Sequence, residues 1–165
     1  VTSMDVITLK IYRASIQSIL FVLSFGVVFL LISVLSLMEE FDLLGIISIF
    51  FSLWLLKYAL TLWKTRANDI GSYWDDEGIV VDLHGNKVYW YEIKDITYQN
   101  FQGSKSTLIS THYTHHENIR IRHKRWLPTI AHSIYWFSIE KPKDYHKNLM
   151  IAWEEKQTNK NKRLL

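Results

Sequence analysis

The stretch Ile19-Leu-Phe-Val-Leu-Ser-Phe-Gly-Val-Val-Phe-Leu-Leu-Ile-Ser-Val-Leu35 decides how the rest of the chain is read. No charged residue lies between Ala14 and Met38. A helix rises about 1.5 Å per residue, so roughly 20 such residues cross the ~30 Å hydrocarbon layer of a bilayer. Glu39, Glu40 and Asp42 follow, and then a second apolar run, Leu43-Leu-Gly-Ile-Ile-Ser-Ile-Phe-Phe-Ser-Leu-Trp-Leu-Leu56, continues past Lys57 to Trp63. Residues 15–63 therefore read as a transmembrane helical hairpin, with helices at about 17–38 and 43–63. Residues 1–14 form a short lead.

Two other readings of the first run fit less well. A secretory signal has an apolar stretch of roughly 7–15 residues followed by small residues. Here the run is longer and meets Met38-Glu39-Glu40, which favours a retained anchor. A helix buried in a water-soluble core normally keeps a polar face, and neither run has one.

Basic residues near the span ends set the orientation. Lys10 and Arg13 precede the first helix, while Lys57, Lys64 and Arg66 lie at the end of the second. The connecting turn has no Lys or Arg. Both termini are expected in the cytoplasm. Lys57 lies beyond the middle of the second run, where its stem can snorkel to the interface beside Trp54, Tyr58 and Trp63.

Outward from the hairpin the chain changes character. Its 165 residues leave about 100 for one further domain. There are no cysteines, which excludes disulfides, thiolate metal sites and cysteine nucleophiles. Residues 64–70 read as a juxtamembrane linker. Ile79–Leu83 and Lys87–Ile93 flank His84-Gly85-Asn86, a tight hairpin signal between two β-rich runs. Further strands are expected at Ile96–Phe101, Thr107–Tyr113, Asn118–His123 and Ile134–Ile139. Alternation turns Val88, Trp90 and Ile93 inward, with Glu92 and Lys94 outside. Pro142 opens a helix whose apolar stripe is Tyr145, Leu149, Met150 and Trp153. The basic tail, 158–165, is expected to fray. The fold class is α+β: a helical hairpin, then an antiparallel sheet or open barrel over 69–157 with a C-terminal helix.

Asp76-Glu-Gly-Ile79, Tyr89-Trp-Tyr-Glu-Ile-Lys-Asp-Ile96 and the closing Phe137–Tyr145 segment, set behind a hairpin anchor, resemble bacterial membrane-anchored pleckstrin-homology-like proteins. The nearest likeness is to the STM3941-like small two-span family. The resemblance implies a pleckstrin-homology-like domain serving as a binding or scaffold module. It carries over no catalytic motif.

The remaining residues argue against an enzyme. There is no Gly-rich phosphate loop, no Gly-x-Ser-x-Gly and no His-Glu-x-x-His. Asp75–Glu77 reads as a turn. His112, His115, His116 and Glu117 do not match a zinc spacing, so no metal or other cofactor is expected. Arg120, Arg122, Lys124 and Arg125 form the densest basic cluster, with Trp126 and Leu127 beside it. It fits a solvated strand edge, a contact with anionic lipid, or a nucleic-acid surface, the last without any recognition motif. The expected partners are the bilayer with its anionic lipid, or a membrane protein, and no nucleic acid. The functional alternative is an immunity or accessory protein recognising a toxin or other membrane partner.

Overall fold

The computed structural model describes residues 10–39 and 43–162. The apolar lead at Val6, Ile7 and Leu9, the acidic turn residues Glu40 and Asp42, and the last three residues of the basic tail lie outside them. The chain divides into two compact units, Ala14–Ile70 and the remainder.

The first unit is a pair of helices, α1 (Ile16–Glu39) and α2 (Leu43–Ala67). Both are long and apolar enough to cross a membrane. They meet along a seam of small residues. A Cβ on Gly26 would lie 3.0 Å from the Leu56 side chain. Ser33, Gly45, Ser52 and Ala59 are also buried. Small side chains let helix backbones approach closely, the usual device where apolar solvent gives helices no hydrophobic reason to associate. Phe29 meets Phe51 edge-on at 6.1 Å. The outward-facing residues are large and apolar, among them Leu31, Leu35, Phe50 and Leu60. Hydroxyls within the helices turn back on their own carbonyls: Ser24 on Phe21, Ser33 on Phe29, Ser48 on Leu44, Ser52 on Ser48 and Thr61 on Lys57. No donor among these five is left to solvent.

Lys64–Ala67, expected in a linker, continues α2 as helix. Asn68–Ile70 then closes it: Ile70 N donates to Thr65 O and Asp69 N to Arg66 O, with Asp69 at φ 54°. This is the paired-bond ending of a Schellman turn.

Among the described residues the second unit has seven strands and two α-helices. A four-stranded antiparallel sheet has the order β1 (Tyr12–Arg13), β2 (Gly71–Trp74), β3 (Gly78–Val80), β4 (Lys87–Tyr89). A 3-10 turn, Trp90–Glu92, passes the chain to a second antiparallel sheet of β5 (Ile93–Phe101), β6 (Ser104–Thr111) and β7 (Ala131–Tyr135). Another 3-10 turn, Tyr113–His115, leads into α3 (His116–Arg122), and α4 spans Pro142–Lys162.

The β3–β4 turn forms for a local reason. The Asp82 carboxylate accepts from the backbone N–H of His84 and Asn86, while Gly85 takes φ 76°. Asp75 braces the preceding turn in the same way, through Glu77 N and Gly78 N. The core joins both sheets to α4: Ile79, Val88, Ile93, Ile96, Ile109 and Ile134 pack with Tyr145, Leu149 and Trp153. The helix stripe read from the sequence is thus the buried one, with Met150 partly buried beside it.

Four expectations are corrected. Asn118–His123 alternates like a strand, yet the segment lies mostly within α3; of its two isoleucines Ile119 is buried and Ile121 faces solvent. Glu92 is not outside but 1% exposed, because the 3-10 turn breaks the strand alternation. Trp90, expected inward, is half-buried and not fully enclosed, as is Trp136. Their indole N–H groups donate to Asp75 O at 2.8 Å and to Thr107 Oγ1 at 3.2 Å. The tail stays helical to Lys162.

The lead is also more than a lead. Tyr12 pairs with Ser72 and Arg13 with Gly71, and the Tyr12 ring is buried against Trp74 and Tyr145. Tyr145 is fully buried, and its hydroxyl lies 3.0 Å from Ser72 Oγ. The helical hairpin is therefore an insertion between two paired strands. A Cβ on Gly71 would sit 2.3 Å from the Tyr12 carbonyl oxygen. Gly71→Val should separate β1 from β2 and lower stability by about 2 kcal/mol or more. Gly85→Ala has open space and only the positive φ to oppose it, so it should cost about 1 kcal/mol. Unfolding of the full chain in micelles, followed by near-UV circular dichroism, ranks the two.

Candidate membrane-facing surface

The basic cluster singled out in the sequence spans the end of α3 and the loop to β7, and its four cations have different roles. Arg122 turns inward. Its Nη1 donates to Glu92 Oε1 at 2.8 Å and its Nη2 to Glu92 Oε2 at 2.6 Å. Glu92 Oε2 also accepts from Tyr89 N at 2.9 Å. The guanidinium lies over the Tyr89 ring, 4.5 Å from its centre, and Nη2 reaches Lys87 O at 3.2 Å. This bidentate pair locks α3 to the β4–β5 connection. Arg122 is therefore a structural residue, and its charge is balanced by a buried carboxylate.

Arg120 pairs with Glu117 one turn earlier on α3, an exposed contact that water and salt screen. Arg125 Nη1 donates to Thr129 Oγ1 at 3.1 Å, and Asp82 is 3.9 Å away. Lys124 makes no ion pair among the described residues. Of four cations read as one surface, Lys124 and Arg125 are the two most open to an outside anion.

Lys124 also shapes the chain. It takes φ 51°, with Lys124 N donating to Ile121 O and Arg125 N to Arg120 O. This Schellman ending turns the loop away from α3. The loop's far end is held too, since Ile130 O accepts from both Thr111 N and Thr111 Oγ1. Between these clamps, Trp126 is 90% exposed and Leu127 and Ile130 are each 70% exposed. The sequence shows Trp126 and Leu127 next to the basic run, but not whether they face the core or solvent. Only the clamped turn reveals that they point outward.

Behind the loop lies a buried histidine pair. His123 and His132 have ring centres 5.6 Å apart. His123 Nε2 lies 2.9 Å from Lys87 O; a carbonyl only accepts, so Nε2 carries a proton. His123 Nδ1 and His132 Nε2 are buried without a hydrogen-bond partner. Burial, then repulsion from Arg125 and His123, pulls the His132 pKa down to about 4, against attraction from Asp82 and Glu92.

The His-rich segment does not converge. His116 Nε2 lies 3.2 Å from Thr111 O, His115 sits edge-on to Tyr91, and Glu117 is committed to Arg120. No group of three metal-ligating side chains occurs among the described residues. Elsewhere in the unit, Trp90, Tyr91, Lys94, His112 and Trp153 line an open groove of about 1000 Å3. The Lys156–Asp76 ion pair, at 2.8 Å, joins two of its lining residues.

Arg122→Ala leaves the Glu92 carboxylate buried without its cation. It should destabilise the unit by about 3 kcal/mol, measured by chemical unfolding of the full chain in micelles. The same assay has a pH signature. His132 binds a proton near pH 6.5 when unfolded and only near pH 4 when folded. Across that window the unfolded state holds more protons, so stability falls as pH drops from about 6.5 to 4, by up to about 3 kcal/mol. His132→Phe should flatten this slope; an unchanged slope would remove the assignment.

No protein-family model, curated protein or solved structure matches this chain.

Proposed function

We propose that this protein is a membrane-anchored, non-catalytic binding or scaffold module. Its helical hairpin spans a bacterial inner membrane, and its pleckstrin-homology-like β unit stays in the cytoplasm, where it engages anionic lipid or a membrane protein. The observation that carries the reading is the surface of α1 and α2. Large apolar side chains dominate the outward faces, and the hydroxyls of Ser24, Ser33, Ser48, Ser52 and Thr61 bond carbonyls of their own helix. In water such a surface would drive aggregation; in hydrocarbon it is the solvated state.

Orientation follows from charge. Arg13 precedes α1, and Lys64 and Arg66 lie in the last turn of α2, so the positive ends share one side. Lys57 is exposed, and its four-carbon stem is long enough to reach the interface. A lipid role for the basic cluster draws on about 1 kcal/mol for each cation at an anionic leaflet. With Arg122 and Arg120 committed to carboxylates, the electrostatic part is about 2 kcal/mol, not the 4 that four open cations would contribute.

Alkaline extraction of native membranes should leave the full chain in the pellet. A reporter fused after Leu165 should be active only where it works in the cytoplasm. Release into the alkaline supernatant contradicts the anchor, and external reporter activity contradicts the orientation.

A further inference from the structure

We propose that Trp126, Leu127 and Ile130 form a lipid-insertion loop. It would seat in the interface of the membrane that holds the helices, with Lys124 and Arg125 against anionic headgroups. The inference rests on the membrane anchorage argued above and names the loop that uses it.

Three observations converge. Scattered exposed apolar residues are ordinary, but here three large ones lie within five positions, two of them adjacent. Trp is the side chain best suited to a membrane interface, with an apolar body and a polar N–H. Second, the loop is not a slack segment awaiting collapse. The Schellman turn at Lys124, the Arg125–Thr129 bond and the double bond from Thr111 to Ile130 O hold it open. Its apolar tips are presented in advance, so insertion requires little ordering.

Third, the charge is of one sign. Residues 116–130 hold four Lys/Arg against one acidic residue, Glu117, and the loop itself, 124–130, holds only Lys124 and Arg125. An apolar tip with a cationic base matches an anionic lipid interface; a protein partner would need an acidic apolar pocket that nothing here implies. Attachment adds to the case. Only residues 14–15 separate β1 from α1, and only 68–70 separate α2 from β2. Tethers of about 10 Å or less hold the unit at high effective concentration near any lipid around the helices.

The absence of cysteine makes a clean test. Leu127→Cys carrying an environment-sensitive dye is placed in the full chain and reconstituted in phosphatidylcholine vesicles with and without phosphatidylglycerol. Val28→Cys, in α1, is labelled in parallel. The expected result is blue-shifted emission at position 127, quenching by shallow lipid-borne nitroxides and shielding from iodide, all stronger in anionic vesicles. Adding Lys124→Ser and Arg125→Ser should lower the inserted-to-free ratio about thirtyfold in anionic vesicles.

Iodide quenching at 127 without nitroxide quenching, while position 28 reports lipid, overturns the insertion loop and leaves the anchor standing. A dye at 28 that no lipid-borne nitroxide reaches overturns both. Shielding at 127 from iodide and nitroxides alike assigns the loop to a protein contact and also overturns the proposal.

Discussion

The pairing of Tyr12–Arg13 with Gly71–Ser72 is the constraint on which the rest of the molecule depends. Between these partners the chain makes a 57-residue excursion, Ala14–Ile70, through two helices. Gly71 permits the closure because its α-carbon lies against the Tyr12 carbonyl, where any side chain would collide. Closure then places Tyr12 in the core. Trp74 stacks on its ring, Tyr145 meets it edge-on, and Asn148 donates to its hydroxyl at 2.9 Å. Arg13 adds a clasp, since its carbonyl accepts from Glu140 N and its Nε donates to Glu140 Oε1. The β unit is consequently joined to the helical pair by two short connections. A fragment starting after the second helix would lack an edge strand and a core ring.

A second dependence runs through Glu92. A buried carboxylate is a liability unless fully paired, and here Arg122 and Tyr89 N satisfy it. The arrangement fixes α3, and α3 in turn fixes where the following loop begins. Arg122 is thereby committed to structure, while Lys124 makes no ion pair among the described residues and Arg125 has Asp82 only at 3.9 Å. Apolar Trp126, Leu127 and Ile130 then dominate what the loop can contact.

Much of this is legible in the sequence, for physical reasons that also mark the limit. The helical hairpin shows because two long apolar runs, broken only by a short acidic turn, are each of helix length. The stripe Tyr145–Leu149–Trp153 shows because helical periodicity survives any context. Asp82 and Gly85 announce their turn through local chemistry. Residues 12–13 stay hidden because two residues carry no period, and their partner strand is nearly sixty residues away. Asn118–His123 misleads because Ile119 and Ile121 sit two apart, which suits a strand, whereas in α3 only one of them is buried. Glu92 misleads because a single 3-10 turn resets the alternation that Val88 had set. The outward Trp126 looks the same as a core tryptophan, because exposure here follows from the backbone clamps at Lys124 and Ile130.

The central claim is that α1 and α2 cross lipid as a hairpin folded between paired strands. Its most direct test is a single-cysteine spin-label scan along both helices in bilayers, comparing accessibility to oxygen and to a water-soluble nickel chelate. Oxygen exposure should rise smoothly to a maximum near the middle of each helix, with no position open to the nickel reagent there. A helical period of nickel accessibility along α1 would mean a water-facing side, and would contradict the claim.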